Sequence, residues 1–236
     1  MDASVIVPTF NEEKMIMKCL LSIRRQETAL EYEVLVSDSN STDKTLAIAE
    51  KYADKVIKLK ERGIYLGRNE GVKHARGKVL IFIDADTTIP PNYLDAVCAV
   101  IRDREISALS CAFKFDASTP MLRWIEEASN KYLLFKGSLG KGELLGFNCV
   151  MRRDTFMRAG GFPPLPLEDG AFAKKLTNYG RVVYLPEPRV VTSARRLQKS
   201  GAVSTVAYYA SLGVLTSFPN IPIKRLMKYR GYIPQR

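Results

Sequence analysis

The sequence predicts an α/β fold, a mostly parallel sheet flanked by helices with a helical appendage at the C-terminal end. Three observations predict it. Through the first half, short runs of Val, Ile and Leu alternate with segments whose apolar residues recur at helical spacing, and the connections are short. The run Val79-Leu80-Ile81-Phe82-Ile83 is apolar at every position, as in a strand covered on both faces, and it ends on Asp84-Ala85-Asp86. The net charge of +11 is concentrated at one end: nine Lys or Arg and no Asp or Glu lie between Arg189 and Arg236.

Taken in order, residues 3–7 form the first strand, and Pro8-Thr9-Phe10-Asn11-Glu12-Glu13 makes a turn with an acidic helix entry. The helix that follows buries Met15, Cys19, Leu20 and Ile23. A strand at 33–37, a helix at 42–52, a short strand at 55–59 and a helix at 66–75 lead to the strand that ends at Asp84. This order calls for right-handed crossovers and places the loops after Val7, Ser37, Leu59 and Ile83 on the carboxyl edge of the sheet, where open α/β sheets bind ligands. Beyond a helix at 91–104 the rhythm changes. A strand at 107–115, a helix at 121–135 with Trp124 on its apolar side, and a strand at 143–151 are followed by a short helix and the turn Gly160-Gly161-Phe162. A proline-rich loop at 163–166 delivers Glu168-Asp169 to the start of a helix reaching about Tyr179, and 181–185 returns as a strand. Without a Gly- and Ser-rich linker the two parts are expected to share one core, giving a domain 1–196, with halves 1–104 and 105–196, and a tail 197–236.

Asp84 and Asp86 stand two residues apart, so in extended geometry they point the same way. Like charges this close repel, and a divalent ion such as Mg2+ or Mn2+, bound with a substrate phosphate, resolves the conflict. The competing reading is a loop in which Asp86 or Thr87 caps the next helix. Cys19, Cys98, Cys111 and Cys149 are scattered with no C-x-x-C pair, which argues against a zinc site or a disulfide framework and for buried thiols in a reducing cytosol. No secretory signal is visible at the N-terminus. The uncharged stretch 201–218 is too polar for a confident span, and with Lys224, Arg225, Lys228 and Arg230 it fits a helix lying on an anionic membrane surface. A buried helix or half of a homodimer contact is the alternative. Nucleic acid ranks last among partners, because the basic residues are not interleaved with aromatics on a strand surface.

Seven motifs then stand in a familiar order. Val5-Ile6-Val7-Pro8-Thr9-Phe10-Asn11-Glu12, Ser37-Asp38-Ser39-Asn40-Ser41-Thr42-Asp43, Arg68-Asn69-Glu70-Gly71 and Asp84-Ala85-Asp86 resemble the nucleotide-sugar half of family 2 glycosyltransferases of the GT-A fold. Gly146-Phe147-Asn148, Gly160-Gly161-Phe162 and Glu168-Asp169 extend the resemblance through the acceptor half, over roughly residues 3–196. It implies a GT-A-type, Rossmann-like sheet and a metal-dependent inverting transferase that moves a sugar from a nucleotide diphosphate sugar to a lipid-phosphate or glycan acceptor. By the same resemblance Pro8, Thr9 and Asp38 hold the nucleoside, Arg68 lies near the nucleotide, Asp84 contacts the ribose or a metal-bound water, and Asp86 ligates the metal. Asn148 and Glu168 belong to the substrate-binding set, and Asp169 is the base. Ser39 stands where the family often has a second acid. Thr192-Ser193-Ala194-Arg195-Arg196 lies where many relatives carry a histidine, which makes Arg195 and Arg196 candidates for the diphosphate or an anionic acceptor; His74, the sole histidine, reads as a surface residue. The expected location is cytoplasmic, peripheral on the membrane's cytoplasmic face. The rival from another class is a noncatalytic protein of this fold that binds a nucleotide sugar or an anionic lipid.

Overall fold

The computed structural model describes residues 1–165 and 167–200, without the side chains of Arg196, Lys199 and Ser200. The stretch 201–218 and Lys224, Arg225, Lys228 and Arg230, on which the expected membrane appendage rests, lie outside the described residues. The chain divides into two units, Met1–Ser193 and Ala194–Arg236.

In the first unit β1 (Ala3–Thr9) is buried along its whole length. Helix α1 (Ile16–Arg24) buries Ile16, Cys19, Leu20 and Ile23, one stripe of a 3.6-residue period. Met15 precedes the helix and is half-buried; Ile16 takes the inward place expected for it. Then come β2 (Tyr32–Asp38), α2 (Thr45–Tyr52), β3 (Lys55–Lys58), α3 (Ile64–His74) and β4 (Val79–Ile83). Helix α2 starts three residues later than expected because 42–44 are used to tie two loops together. The Thr42 N–H donates to Asn11 Oδ1 (2.9 Å), and the Asp43 carboxylate accepts from the N–H groups of Thr45 and Glu13.

The second half supplies β5 (Thr87–Thr88), α4 (Tyr93–Ile101), β6 (Ile106–Phe115), α5 (Pro120–Ser138), β7 (Asn148–Arg152), α6 (Arg153–Ala159), α7 (Glu168–Leu176) and β8 (Arg181–Thr192). The strands form one sheet in the order β3-β2-β1-β4-β7-β6-β8-β5. The first four are parallel, as expected, but β7 runs antiparallel to both β4 and β6, so the sheet is mixed. Strand β7 begins at Asn148 and not near 143, because Leu145 and Asn148 bridge each other across a tight turn that consumes the intervening residues. Trp124 is 68% exposed on α5, so the apolar side expected to carry it faces outward.

Strand alternation divides the core between the two faces of the sheet. Val5, Val7, Ile81, Ile83 and Leu109 pack on one side with α1 and α4. Ile6, Leu80, Phe82 and Ala108 pack on the other with α6 and α7, where Phe82, Phe156, Phe162 and Phe172 form a ring cluster with centroids 4.7–5.9 Å apart. Both cores draw on both halves of the chain. All four cysteines are free and buried, and burial pushes Cys98 up to about 11 and Cys111 up to about 12. Of the second unit the structure describes α8 (Arg195–Ser200). No helix among the described residues is long and apolar enough to cross a membrane.

Candidate functional site

The parallel strands β1, β2 and β4 end together at the carboxyl edge. Thr9, at the end of β1, accepts the Ser39 N–H on its carbonyl (2.8 Å), and its buried Oγ1 has no hydrogen-bond partner among the described residues. Pro8 is buried beside it. Asp38 is fully buried, and its carboxylate closes its own loop by accepting from the Ser41 N–H (2.8 Å) and Ser41 Oγ (2.5 Å). Asn11 and Asn40, with φ of 53° and 66°, supply the left-handed turns that bend both loops over this edge.

Strand β4 stops at Ile83. The Asp84 N–H donates to Phe147 O (3.3 Å), and the Thr87 N–H donates back to Asp84 O (2.9 Å), closing a turn over 84–87. The extended geometry expected for Asp84 and Asp86 is therefore replaced by a turn. Their fields still converge: burial raises the Cys19 thiol well above its ordinary value, and Asp86, Asp84 and Glu12 push it further in the same direction. A hard divalent cation, which takes one or two carboxylates and completes its shell with phosphate oxygens and water, fits oxygen donors at this concentration of negative charge. Among the described residues no three His, Cys, Asp or Glu side chains form a closed metal cage.

Arg68 joins this edge to the second half. Helix α3 comes close enough to deliver it because Gly71 lies against the strands: a Cβ there would sit 2.9 Å from Ser37 Oγ. Arg68 is 1% exposed, with Nη2 3.0 Å from Asp84 Oδ1 and Nη1 2.5 Å from Glu168 Oε1. Its Nε is buried with no hydrogen-bond partner among the described residues. Gly146 covers the guanidinium, where a Cβ would lie 2.8 Å from Nη1 and 2.9 Å from Cζ. The Gly146 N–H donates to Asp169 Oδ2 (2.9 Å), and the Gly170 N–H donates to Asp169 Oδ1 (2.8 Å). Asp84, Arg68, Glu168, Gly146 and Asp169 thus form one chain of contacts. Leu167, just before α7, has φ 54° and ψ 47°, a region costly for a branched side chain, and it turns Glu168 and Asp169 into this place.

The electrostatics follow from counting charges. One guanidinium faces both Asp84 and Glu168, with Asp169 nearby, so the Arg68 charge is shared among more than one acid. The Arg68 pKa is accordingly raised by Asp84 and Glu168 against the opposing effect of burial. Glu168 is also raised, first by burial; Arg68 pulls it down, and Asp169 adds to the rise.

The structure thus brings Asp84, Arg68, Glu168 and Asp169 together, and sets Pro8, Thr9 and Asp38 on neighbouring strand ends. Two expectations change. Arg68 is enclosed between carboxylates, and so is not presented to solvent for a phosphate. Asn148, expected among the substrate-binding residues, is fully buried and engaged at both ends with β6: Oδ1 accepts the Cys111 N–H (2.7 Å) and Nδ2 donates to Cys111 O (2.8 Å). Arg195 opens α8 in the second unit, and the Arg196 side chain lies outside the described residues. His74 lies beside Lys55 (2.9 Å) and near Glu70. Sequence reasoning missed Gly146 as the lid on Arg68 and Cys19 beneath the carboxylates; the helical stripe containing Cys19 was the available signal.

A profile described as glycosyl transferase family 2 matches residues 4–160. Among curated proteins, poly(ribitol-phosphate) beta-N-acetylglucosaminyltransferase TarS of Staphylococcus aureus is 37% identical over 121 residues, 48% of this chain and 21% of that protein. Glycosyltransferase AglE of Haloferax volcanii is 27% identical over 187 residues, 75% of this chain and 62% of that protein. The crystal structure of Staphylococcus aureus TarS 1–349 in complex with UDP-GlcNAc matches with TM-score 0.67 and 28% identity, covering 83% of this chain and 59% of that one. Mannosyltransferase PcManGT of Pyrobaculum calidifontis, solved with GDP-Man and Mn2+, matches with TM-score 0.68 and 24% identity over 89% of this chain and 64% of that one, a likeness of fold. The chain spans less than two thirds of the length of each of these relatives. With the profile spanning most of the first unit and the motifs meeting at one edge, the chain belongs to glycosyl transferase family 2.

Proposed function

We propose that this chain is an inverting glycosyltransferase that moves a sugar from a nucleotide diphosphate to a lipid-linked or glycan acceptor, with Asp86 as the ligand of a divalent Mn2+ or Mg2+ ion and Asp84 at the ribose or a metal-bound water. The observation that carries the reading is the contact chain from Asp84 through Arg68 and Gly146 to Asp169, which spans the donor and acceptor halves at one sheet edge. The likeness to TarS in complex with UDP-GlcNAc supports a uridine nucleotide sugar as the first donor to try.

Pro8, Thr9 and Asp38 form the nucleoside end, with Thr9 Oγ1 an unused polar atom facing this role. A bound divalent ion would supply Lewis-acid neutralisation of the charge growing on the departing diphosphate. Asp169, its carboxylate fixed by two backbone N–H groups, accepts the proton of the acceptor hydroxyl while the new glycosidic bond forms and the sugar–phosphate bond breaks. Arg68 and Glu168 touch no reacting atom in this scheme and position the two carboxylates that do.

The test is calorimetric titration of UDP and GDP with and without Mn2+, then turnover of the matching sugar nucleotides. Asp86→Ala is expected to abolish metal-dependent nucleotide binding and leave the fold intact. Equal affinity of wild type and Asp86→Ala in the presence of metal would remove the metal assignment, and tight donor binding with no turnover on any acceptor would turn the reading toward a binding protein.

A further inference from the structure

Five of the nine large hydrophobic side chains exposed among the described residues belong to α5 and the residue after it: Met121 (51%), Trp124 (68%), Tyr132 (53%), Phe135 (64%) and Leu139 (60%). At 100° per residue they fall on a single stripe. Leu122, Asn130, Leu133 and Gly137 occupy the opposite side and face the sheet; Asn130 hydrogen-bonds the Phe113 backbone, and Gly137 lies against Tyr184. The apolar stripe of this 19-residue helix therefore runs outward for about 28 Å. An exposed contiguous stripe of this kind marks an interaction surface.

We infer that the outward face of α5 is a membrane-docking surface for an anionic bilayer. The residue types favour lipid over a second protein. Trp124 and Tyr132 have an apolar body and a polar tip, which suits the headgroup boundary. Lysine is depleted from protein interfaces, yet Lys131 is exposed within the stripe's span and Lys141 just past its end. The segment 120–143 carries Arg123, Lys131, Lys136 and Lys141 against Glu126, Glu127 and Glu143; Lys136 pairs with Glu143 (2.5 Å) and the Glu126 carboxylate is turned to the Phe115 N–H (2.9 Å), while Arg123, Lys131 and Lys141 are exposed. The surface combines acyl-boundary side chains with the attraction of the exposed Arg123, Lys131 and Lys141 to anionic headgroups.

Strand pairing connects the start of the stripe to the segment that carries Asp86. Thr87, next to Asp86, pairs with Thr192 of β8, Thr192 pairs with Phe115 of β6, and Thr119 four residues later caps α5 by accepting the Leu122 N–H (3.2 Å). This docking surface goes beyond the transferase reading and does not depend on it.

Trp124 is the sole tryptophan, so its emission reports on this face alone. The full chain is titrated with vesicles of equal parts phosphatidylglycerol and phosphatidylcholine, and with pure phosphatidylcholine. On the anionic vesicles Trp124 emission is expected to shift to the blue and to become protected from a water-soluble quencher, with little change on the neutral ones. Phe135→Glu/Leu139→Glu, two exposed positions whose substitution leaves the core untouched, should lower anionic-vesicle binding by about tenfold or more. The inference is overturned by vesicle binding that leaves Trp124 emission unchanged, by absence of binding at low salt, or by emission already blue-shifted without lipid in a species of dimer mass.

Discussion

Replacing Arg68 with Met keeps an unbranched apolar stem and removes the charged guanidinium. Asp84 and Glu168, with side chains 14% and 8% exposed, would then face each other without a cation. Breaking one partner out of a buried ion pair costs about 3–5 kcal/mol. For a chain of this size that corresponds to a fall in Tm of roughly 6–20 °C. The deficit should depend on pH, and its sign follows from Glu168. Burial raises the folded pKa of this acid above its unfolded value of 4.5, with Arg68 the main opposing influence. A carboxyl group with a raised folded pKa costs stability as pH rises from the unfolded pKa through the folded one. Without Arg68 the folded pKa climbs and that interval widens, so Arg68→Met should be nearest to wild type at about pH 4.5 and fall further behind by about pH 8. Urea denaturation of both proteins across this range measures the difference, and Arg68→Met/Glu168→Leu should recover part of it by deleting the stranded charge. A deficit below about 1 kcal/mol, or one equal at both ends of the range, would refute the view that Arg68 neutralises a buried acidic pair.

Two further substitutions separate scaffold from chemistry. Asn148→Ala strands the Cys111 N–H and carbonyl in the core and should cost about 2–5 kcal/mol in denaturant melts; a cost under about 1 kcal/mol would return Asn148 to the substrate-binding set. Asp169→Asn should retain nucleotide binding by calorimetry yet lose most transfer to a neutral hydroxyl acceptor, because the amide takes no proton; an active variant would remove Asp169 as the base.

Much of the parallel half was legible because its central strands are built on apolar runs, as in Val79–Ile83, and its first helix carries a single buried stripe, as in Ile16–Arg24. The second half was harder to read. Leu144, Leu145 and Phe147 look like a strand, but the Leu145–Asn148 bridge spends them on a turn, and that pairing is a matter of tertiary contact. Trp124 illustrates the same limit from the other direction: hydrophobic periodicity locates a stripe without saying which side of the helix meets the sheet. At the candidate site, residue spacing brought out Asp84 and Asp86, and the family resemblance brought out Glu168 and Asp169. Neither could show that Arg68 spends its charge on Asp84 and Glu168, since those contacts join residues 16 and 100 positions apart.

Strand order gives the segment carrying Asp84 and Asp86 a mechanical role. β4 lies in the middle of the sheet and β5 at its far end, four places away in the order, although only residues 84–86 separate them in sequence. Four flat strand spacings would measure about 19 Å. The backbone from Ile83 to Thr87 can reach about 14 Å at most. The sheet must therefore curl until the end of β8 approaches the end of β4, and the acidic segment is the tie that spans the curl. Any change that flattens β6 or β8 would pull on the backbone that carries the two carboxylates.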